Sequence, residues 1–145
     1  MKTTRGIGDV VKTMTSIVPV ASEAASSYSL TGTAVDRRGY GSCEIVVGTG
    51  AVTGSPSAQT VDAKLQESAD GSTGWTDVAD DAGTTVAITQ ITAANTDARK
   101  SAKLSAQKRY VRLAATVAFT SGSTPKIGVY GAIVLGGAKD KAPQS

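Results

Sequence analysis

The sequence predicts an all-β fold, an antiparallel β-sandwich of jelly-roll type. Ala, Thr, Ser, Val and Gly dominate its 145 residues, and β-branched side chains suit pleated strands better than helix interiors. From residue 28 onward, about eight short segments alternate apolar and polar side chains and are separated by turn residues. The length predicts one domain, 28–138, whose core needs neither disulfides nor metal.

The first strands are predicted from simple alternation. Alternating side chains over 28–34 predict one strand, and the residues at 37–41 are typical of a turn or an exposed loop. A second strand is predicted at 43–47. A loop rich in Gly, Ser and Pro over 48–57 separates it from a regular half-buried strand at 61–66.

The middle of the chain predicts shorter elements. The Asp- and Gly-containing segment 70–74 is a strong turn signal, and 75–78 is expected to be a short return strand. A further turn is predicted at 80–83. The apolar residues of 86–91 predict another strand, with imperfect alternation at its end, and 101–104 predicts a short one.

The two longest alternating segments come last. They cover 111–119 and 127–135 and are joined by a turn at 121–125. We expect them to form one long antiparallel hairpin. Few charges lie on either side of it, which is typical of a strand pair buried on both faces. One face would meet the core, and the other would meet a second sheet or another subunit.

The two ends of the chain differ from the strand pattern. Residues 1–27 are predicted to form an extended arm with at most one helical turn, and 139–145 a flexible tail. The helical turn would present four apolar side chains at near-helical spacing: Ile7, Val10, Val11 and Met14. Asp9 and Lys12 interrupt the stretch that a signal peptide would need, so synthesis in the cytoplasm is expected.

The residue inventory argues against catalysis. The chain has no histidine and a single cysteine, Cys43, which excludes Ser-His-Asp and Cys-His arrangements and the usual zinc sites. Cys43 is expected to be a small buried hydrophobe. We expect no enzyme activity, no catalytic residue, no cofactor and no metal site. The aspartates between 70 and 81 are interpreted as turn caps rather than calcium ligands, and Trp75 as a plug beside the turn rather than a contact residue.

The charge is mild and dispersed. The formal net charge is +3, and the densest basic positions are the pairs at 37–38, 99–100 and 108–109. Direct binding to nucleic acid usually needs a denser stripe, so a solubilising surface charge is the better interpretation. No run of 18 apolar residues occurs, so no membrane span is expected.

Three segments together carry a resemblance to a known group. Residues 65–78 (LQESADGSTGWTDV) resemble a hairpin found in small head proteins of tailed bacteriophages, with one additional glycine, Gly74, before Trp75. Residues 110–117 (YVRLAATV) and 131–138 (GAIVLGGA) are similar to the closing strands of that group. The ordered set covers roughly residues 60–138. It resembles the capsid decoration, or head cement, family of tailed phages.

The resemblance implies a structural virion protein that decorates the outside of a capsid and bridges capsid subunits. It implies the major capsid protein as partner and a homo-oligomer, with a trimer favoured, that would match local capsid symmetry. Six residues are the predicted partner contacts: Ile7, Val10, Val11, Arg37, Arg38 and Tyr40. The alternatives are a tail or other minor virion protein and a carbohydrate-binding sandwich that uses Trp75, Tyr40 or Tyr28.

Overall fold

A computed structural model describes residues 11–21, 26–104 and 107–138. Over these residues the chain forms nine strands and no helix. The strands are β1 (Lys12–Ala21), β2 (Ser27–Thr31), β3 (Val35–Asp36), β4 (Tyr40–Thr53), β5 (Ala58–Ser68), β6 (Thr76–Asp77), β7 (Asp97–Lys103), β8 (Tyr110–Thr120) and β9 (Lys126–Ala138). The strands pair in antiparallel fashion throughout. The predicted all-β class is confirmed.

The strands form two sheets that pack face to face. One sheet has the order β1-β9-β4-β7, and the other has the order β2-β8-β5-β6, with β3 also paired to β8. Apart from the short β3, the strands pair from the outside inward: β1 with β9, β2 with β8, β4 with β7, and β5 with β6. This nested pairing is the jelly-roll topology, so the predicted sandwich is confirmed.

The predicted hairpin of the last two long strands is wrong. β8 belongs to the five-stranded sheet and β9 to the four-stranded sheet, so their apolar sides face each other across the core. The connection at 121–125 carries the chain from one sheet to the other. It packs against the connection between β4 and β5, which also passes from one sheet to the other. There the Ser123 N–H donates to the Gly54 carbonyl at 2.8 Å. Alternation identifies a strand's buried side, but it does not identify the strand's hydrogen-bonded neighbour.

Part of the predicted N-terminal arm lies in the sheet. β1 (Lys12–Ala21) pairs with β9 from Lys12 opposite Leu135 to Ala21 opposite Gly128, with two register shifts between. Met14, assigned to a helical turn, is in this strand. An edge strand with bulges and a proline lacks clean alternation, which is why its sequence resembles an irregular arm. Residues 1–10 and 139–145 lie outside the described part of the chain.

The predicted strand at 86–91 is an irregular segment that covers the edge of β5. Val61 and Ile91 exchange two backbone hydrogen bonds of 2.8 and 2.9 Å, and the Leu65 N–H donates to the Val86 carbonyl at 2.9 Å. The apolar side chains of this segment are buried as expected: Val86, Ile88 and Ile91. The predicted return strand near 75–78 is reduced to the two residues of β6.

The core lies between the sheets and is built from aliphatic side chains. The largest fully buried ones are Ile45, Leu65, Leu104, Leu113, Ile127, Ile133 and Leu135. Cys43 is 4 % exposed, which confirms its prediction as a small buried hydrophobe. Burial raises the pKa of its thiol to about 11, so the thiol stays protonated near neutral pH.

One buried serine joins the two sheets along an edge. β2 stops pairing with β8 at Ala114 and β3 resumes at Val111, which leaves the backbone of Leu113 between them. The Ser16 hydroxyl of β1 fills this gap: it accepts from the Leu113 N–H at 3.1 Å and donates to the Thr33 carbonyl at 3.2 Å. The Gly32 N–H satisfies the Leu113 carbonyl at 2.8 Å.

Candidate functional site: the open face of the four-stranded sheet

The outward side of the four-stranded sheet, here called the open face, is built from two central rows of side chains. Directly opposed residues of antiparallel strands point to the same side. The pairings therefore align Thr15, Ala132, Val46 and Arg99 in one row and Thr13, Val134, Glu44 and Ser101 in the next. Their chain neighbours Ile45 and Ile133 are fully buried, which places both rows on the side away from the core.

The centre of the open face is apolar. Val46, Ala132 and Val134 are each only half-buried, although they lie on the two central strands of the sheet. Tyr130 is 43 % exposed, and Val18 on the edge strand is 62 % exposed. Among the described residues, these two large apolar side chains have the greatest exposure to solvent. An apolar centre on an otherwise polar surface is typical of a protein-contact site.

Gly48 provides the space for the Tyr130 ring. These two residues are opposed in the β4–β9 pair. A Cβ atom at Gly48 would lie 2.1 Å from Cζ of Tyr130, so the phenol ring lies flat over this glycine. The ring therefore extends the apolar centre toward β4 instead of projecting into solvent. Glycine is needed here to make room for the ring and not to form a turn, since its backbone is part of a regular strand.

The border of the open face is polar and charged. On β7, the Arg99 Nε lies 3.1 Å from an Asp97 carboxylate oxygen, and the Ser101 hydroxyl donates to Glu44 Oε2 at 3.2 Å. Beyond Glu44 lies a shallow concavity of about 410 Å³, lined by residues that include Ser42, Glu44, Ser101, Lys103, Val134 and Gly136. An apolar centre with a hydrogen-bonding rim is the usual anatomy of a protein interface.

The predicted contact residues do not gather on the open face. The Arg37 guanidinium donates to the carbonyls of Lys108 at 2.6 Å, Tyr40 at 3.3 Å and Gln107, so it ties two loops together. Tyr40 is 4 % exposed and belongs to the core. Arg38 is exposed, with its backbone N–H donating to Asp36 Oδ1 at 3.0 Å.

The N-terminal contact residues are described only in part. Val11 is half-buried immediately before β1, next to the end of the open face. Ile7 and Val10 lie outside the described residues. Their role as partner contacts therefore stays a prediction.

The acidic turns are explained by their own backbone. Asp70 Oδ1 accepts from the N–H groups of Ser72 and Thr73 at 2.8 Å each, and Asp70 Oδ2 accepts from the Thr73 hydroxyl at 2.6 Å. These bonds, that from the Thr73 hydroxyl most of all, hold the pKa of Asp70 far below its usual range. Asp80 Oδ1 caps the next turn in the same way. Within the described residues, no group of three or more His, Cys, Asp or Glu side chains could hold a metal ion.

The three aromatic residues considered for a sugar site, Trp75, Tyr40 and Tyr28, do not form an open platform. Tyr40 is buried, and Tyr28 packs on the core with its ring centroid 6.4 Å from that of Phe119. Trp75 is half-buried on the outer side of the other sheet, with the Arg112 guanidinium carbon 4.1 Å from its ring centroid. One indole face is therefore covered.

Across the described residues, no helix is long and apolar enough to cross a membrane.

The residues that make the open face apolar could not be predicted from the sequence. Few charges lie on either side of 127–135, but alternation alone does not distinguish Tyr130, Val134 or Val46 from their buried neighbours. The signal available was the second apolar set of β9, offset by one residue from the buried set. Without the pairing of β9 with β4, the two sets cannot be assigned to core and surface.

Comparison with known proteins identifies no family. No protein-family model matches this sequence, and no curated protein matches it. Solved structures with a similar arrangement include a structure of infectious bursal disease virus, Gx strain, at 12 % identity and a TM-score of 0.47 over 92 % of this chain. They also include the PBSX exported protein XepA, at 16 % identity and a TM-score of 0.48 over 100 % of this chain. The SPBc2 prophage-derived protein YomS is similar at 13 % identity and a TM-score of 0.36, over 92 % of this chain and 99 % of its own.

The chain spans 34 % and 43 % of the lengths of the first two of these proteins. Phage, prophage and viral proteins are thus among the solved structures that resemble this fold. Identities of 12–16 % and TM-scores below 0.5 assign neither a family nor an activity.

Proposed function

We propose that this chain is a structural protein of a phage particle that binds the outside of the capsid and stabilises it by bridging capsid subunits. The partner is the major capsid protein, and the place of action is the virion surface. The observation that carries the proposal is the open face, with Val46, Ala132 and Val134 half-buried and Tyr130 exposed at its centre. The resemblance of residues 65–78, 110–117 and 131–138 to head proteins of tailed phages supports the same assignment.

The two sheet surfaces differ in a way that favours the open face as the contact. On the other sheet, outward positions carry polar and charged groups such as Asp62, Lys64, Gln66 and Thr116. Lys64 is already paired with Asp77 at 2.7 Å. Burying such groups against a partner costs free energy because they lose their contacts with water. Burying the apolar parts of valine, alanine and tyrosine side chains is favourable.

The size of the open face argues for more than one copy. The strands β1, β9, β4 and β7 have 10, 13, 14 and 7 residues and cover roughly 700 Å², at about 4.8 Å between strands and 3.3 Å per residue. A stable interface buries about 800 Å² on each partner, and only the centre of this face is apolar, so one such face alone would bind weakly. A closed homo-oligomer, with a trimer favoured, would engage several capsid subunits at once and gain affinity through multivalency.

The nucleophilic and acidic side chains of the protein also support a non-enzymatic role. The sequence has no histidine, and burial keeps the Cys43 thiol protonated near neutral pH, so it is a poor nucleophile. The carboxylates of Asp70 and Asp80 are used by their own turns. The function therefore depends on shape and contact area.

The test is binding of the purified protein to expanded shells assembled from the major capsid protein of the same phage. Wild type is expected to co-sediment with shells to a fixed stoichiometry and to raise their melting temperature. Val134→Lys places a charge at the centre of the open face, opposite Glu44, and is expected to weaken binding by about tenfold or more. Thr116→Lys is the matched control, because it places a lysine opposite Asp62 on the other sheet.

Two results would contradict the proposal. Shell stability that is unchanged at saturating protein would remove the stabilising role. Equal shell binding by wild type, Val134→Lys and Thr116→Lys would show that the open face is not the contact.

A further inference from the structure

A second surface, on the opposite sheet, has a chemistry unlike that of the open face. Arg112 of β8 lies with its guanidinium carbon 4.1 Å from the centre of the Trp75 ring. Its Nε and Nη2 groups donate to Gln66 Oε1 at 3.1 and 3.0 Å. The Lys108 ammonium donates to the hydroxyl of Thr76 at 3.1 Å, and Thr76 lies in the short strand β6 directly after Trp75. We call these five residues the Arg112 platform.

The platform holds its arginine without a carboxylate. Gln66 uses its amide N–H₂ to donate to Asp77 Oδ1 at 3.1 Å and its amide oxygen to accept from Arg112. Asp77 is in turn neutralised by Lys64 at 2.7 Å. Gln66 is thus a neutral link between the acid and Arg112, and no acidic group in the described part of the chain forms an ion pair with Arg112 or Lys108.

The nearby carboxylates are bound to groups other than the Arg112 guanidinium and the Lys108 ammonium. Arg109 is paired with Asp36 at 2.7 Å, and its guanidinium lies 4.9 Å from the centre of the Tyr110 ring. Glu67 accepts from the Lys108 backbone N–H at 2.8 Å, and among the described residues no carboxylate forms an ion pair with the Lys108 ammonium. Partial burial lowers the pKa of Arg112, with no charge partner to offset the desolvation.

We propose that the Arg112 platform is a docking site for a carboxylate-bearing segment of a protein partner. The indole of Trp75 holds the guanidinium plane in place, and Gln66 fixes one edge of it. Among the described residues the Nη1 group has no partner, so it is available to a carboxylate. A planar, pre-oriented guanidinium binds carboxylates with two parallel hydrogen bonds, and Lys108 supplies a second positive charge nearby.

The observations favour an acidic protein segment over nucleic acid. Nucleic-acid surfaces carry a stripe of cations that follows the phosphate backbone. Here the cations are few, and two of them are committed: Arg37 to backbone carbonyls and Arg109 to Asp36. Trp and Arg side chains presented together are typical of protein-contact hot spots. This site is on the opposite sheet from the open face and does not depend on the function proposed for that face.

The experiment uses the full chain and a capped oligoglutamate peptide of about ten residues. Isothermal titration calorimetry measures affinity, and the emission of Trp75, the only tryptophan in the chain, reports where the peptide binds. We expect saturable binding with a change in Trp75 emission, and weaker binding as salt rises from about 0.05 to 0.3 M. Arg112→Gln should weaken binding about tenfold or more. Arg99→Gln, on the open face, is the matched control and should bind like wild type.

Each other outcome is decisive. Binding by Arg112→Gln that equals wild type, or no binding by wild type, would overturn the proposal. If single-stranded DNA of equal charge binds as tightly and with the same dependence on Arg112, the site is a general polyanion site and the acidic protein partner is wrong. If Arg112→Gln does not fold, judged by its circular dichroism, Lys108→Gln is measured instead. A folded Lys108→Gln variant should bind several-fold more weakly, and unchanged affinity would refute the platform.

Discussion

Replacing Ser16 by alanine tests the link between the two sheets. The Ser16 hydroxyl accepts from the Leu113 N–H and donates to the Thr33 carbonyl, and Leu113 is fully buried. β8 has no ladder partner for this N–H, since β2 pairs only as far as Ala114. Ser16→Ala therefore leaves a buried backbone donor without an acceptor, because the alanine methyl group cannot accept a hydrogen bond.

The magnitude follows from the two bonds. A buried donor left unsatisfied costs about 1–3 kcal/mol, and the weaker bond to Thr33 adds a fraction of a kcal/mol. We expect Ser16→Ala to lower the free energy of unfolding by about 2–3 kcal/mol, which lowers Tm by about 5–10 °C for a chain of this length. The exposed Ser29 on β2 is the control, and Ser29→Ala should change the free energy by less than about 0.5 kcal/mol.

Urea unfolding followed by Trp75 emission and by circular dichroism measures both variants. The dependence of the free energy on urea should match wild type, because the same surface is exposed on unfolding. A Ser16→Ala variant within about 0.5 kcal/mol of wild type would refute this role of the hydroxyl. The N–H of Leu113 would then have another partner, and the two sheets would be joined along this edge by packing alone.

Three further predictions follow from other residues. The Cys43 thiol should resist alkylation at pH 8 until the protein unfolds, and because its folded pKa of about 11 lies above the unfolded value, stability should fall by up to about 3 kcal/mol as pH rises from about 9 to 11. Gly48→Ala should cost less than about 1 kcal/mol, since the Tyr130 ring can swing aside, yet should weaken shell binding measured by co-sedimentation because the ring leaves the open face. The hydrogen bond from Arg109 lowers the pKa of Asp36, so part of the stability should be lost as pH falls below about 4, and acid titration of Asp36→Asn should show a smaller loss.

The inward residues of the sheets could be predicted from the sequence because burial follows the two-residue period of a strand. Cys43, Ile45 and Val47 alternate along β4 and are all buried, and the same holds for Val61 and Leu65 in β5. The turn at 70–74 could be predicted because Asp70 caps it with its own side chain, a purely local effect. These features depend on residues close together in the chain.

The pairing of strands could not be predicted in the same way. β8 and β9 are both apolar and adjacent in sequence, yet they lie in different sheets. The connection between them, at 121–125, packs on Gly54 in the connection between β4 and β5. The assignment of β1 depends on its contact with β9, and the open face depends on the pairing of β9 with β4. Each of these is a contact between residues far apart in the chain, for which a single sequence carries no direct signal.

The two proposed surfaces can be separated by exchanging their variants between the two assays. Val134 lies on the outer side of one sheet and Arg112 on the outer side of the other, with the core between them. Substitutions at sites this far apart, without shared partners, act independently. Val134→Lys should therefore bind the oligoglutamate peptide as tightly as wild type in calorimetry, although its shell binding should be weaker by about tenfold or more. If Val134→Lys changes peptide affinity by more than about twofold, the two surfaces are coupled through the sandwich, and loss of shell binding could no longer be attributed to contacts at the open face alone.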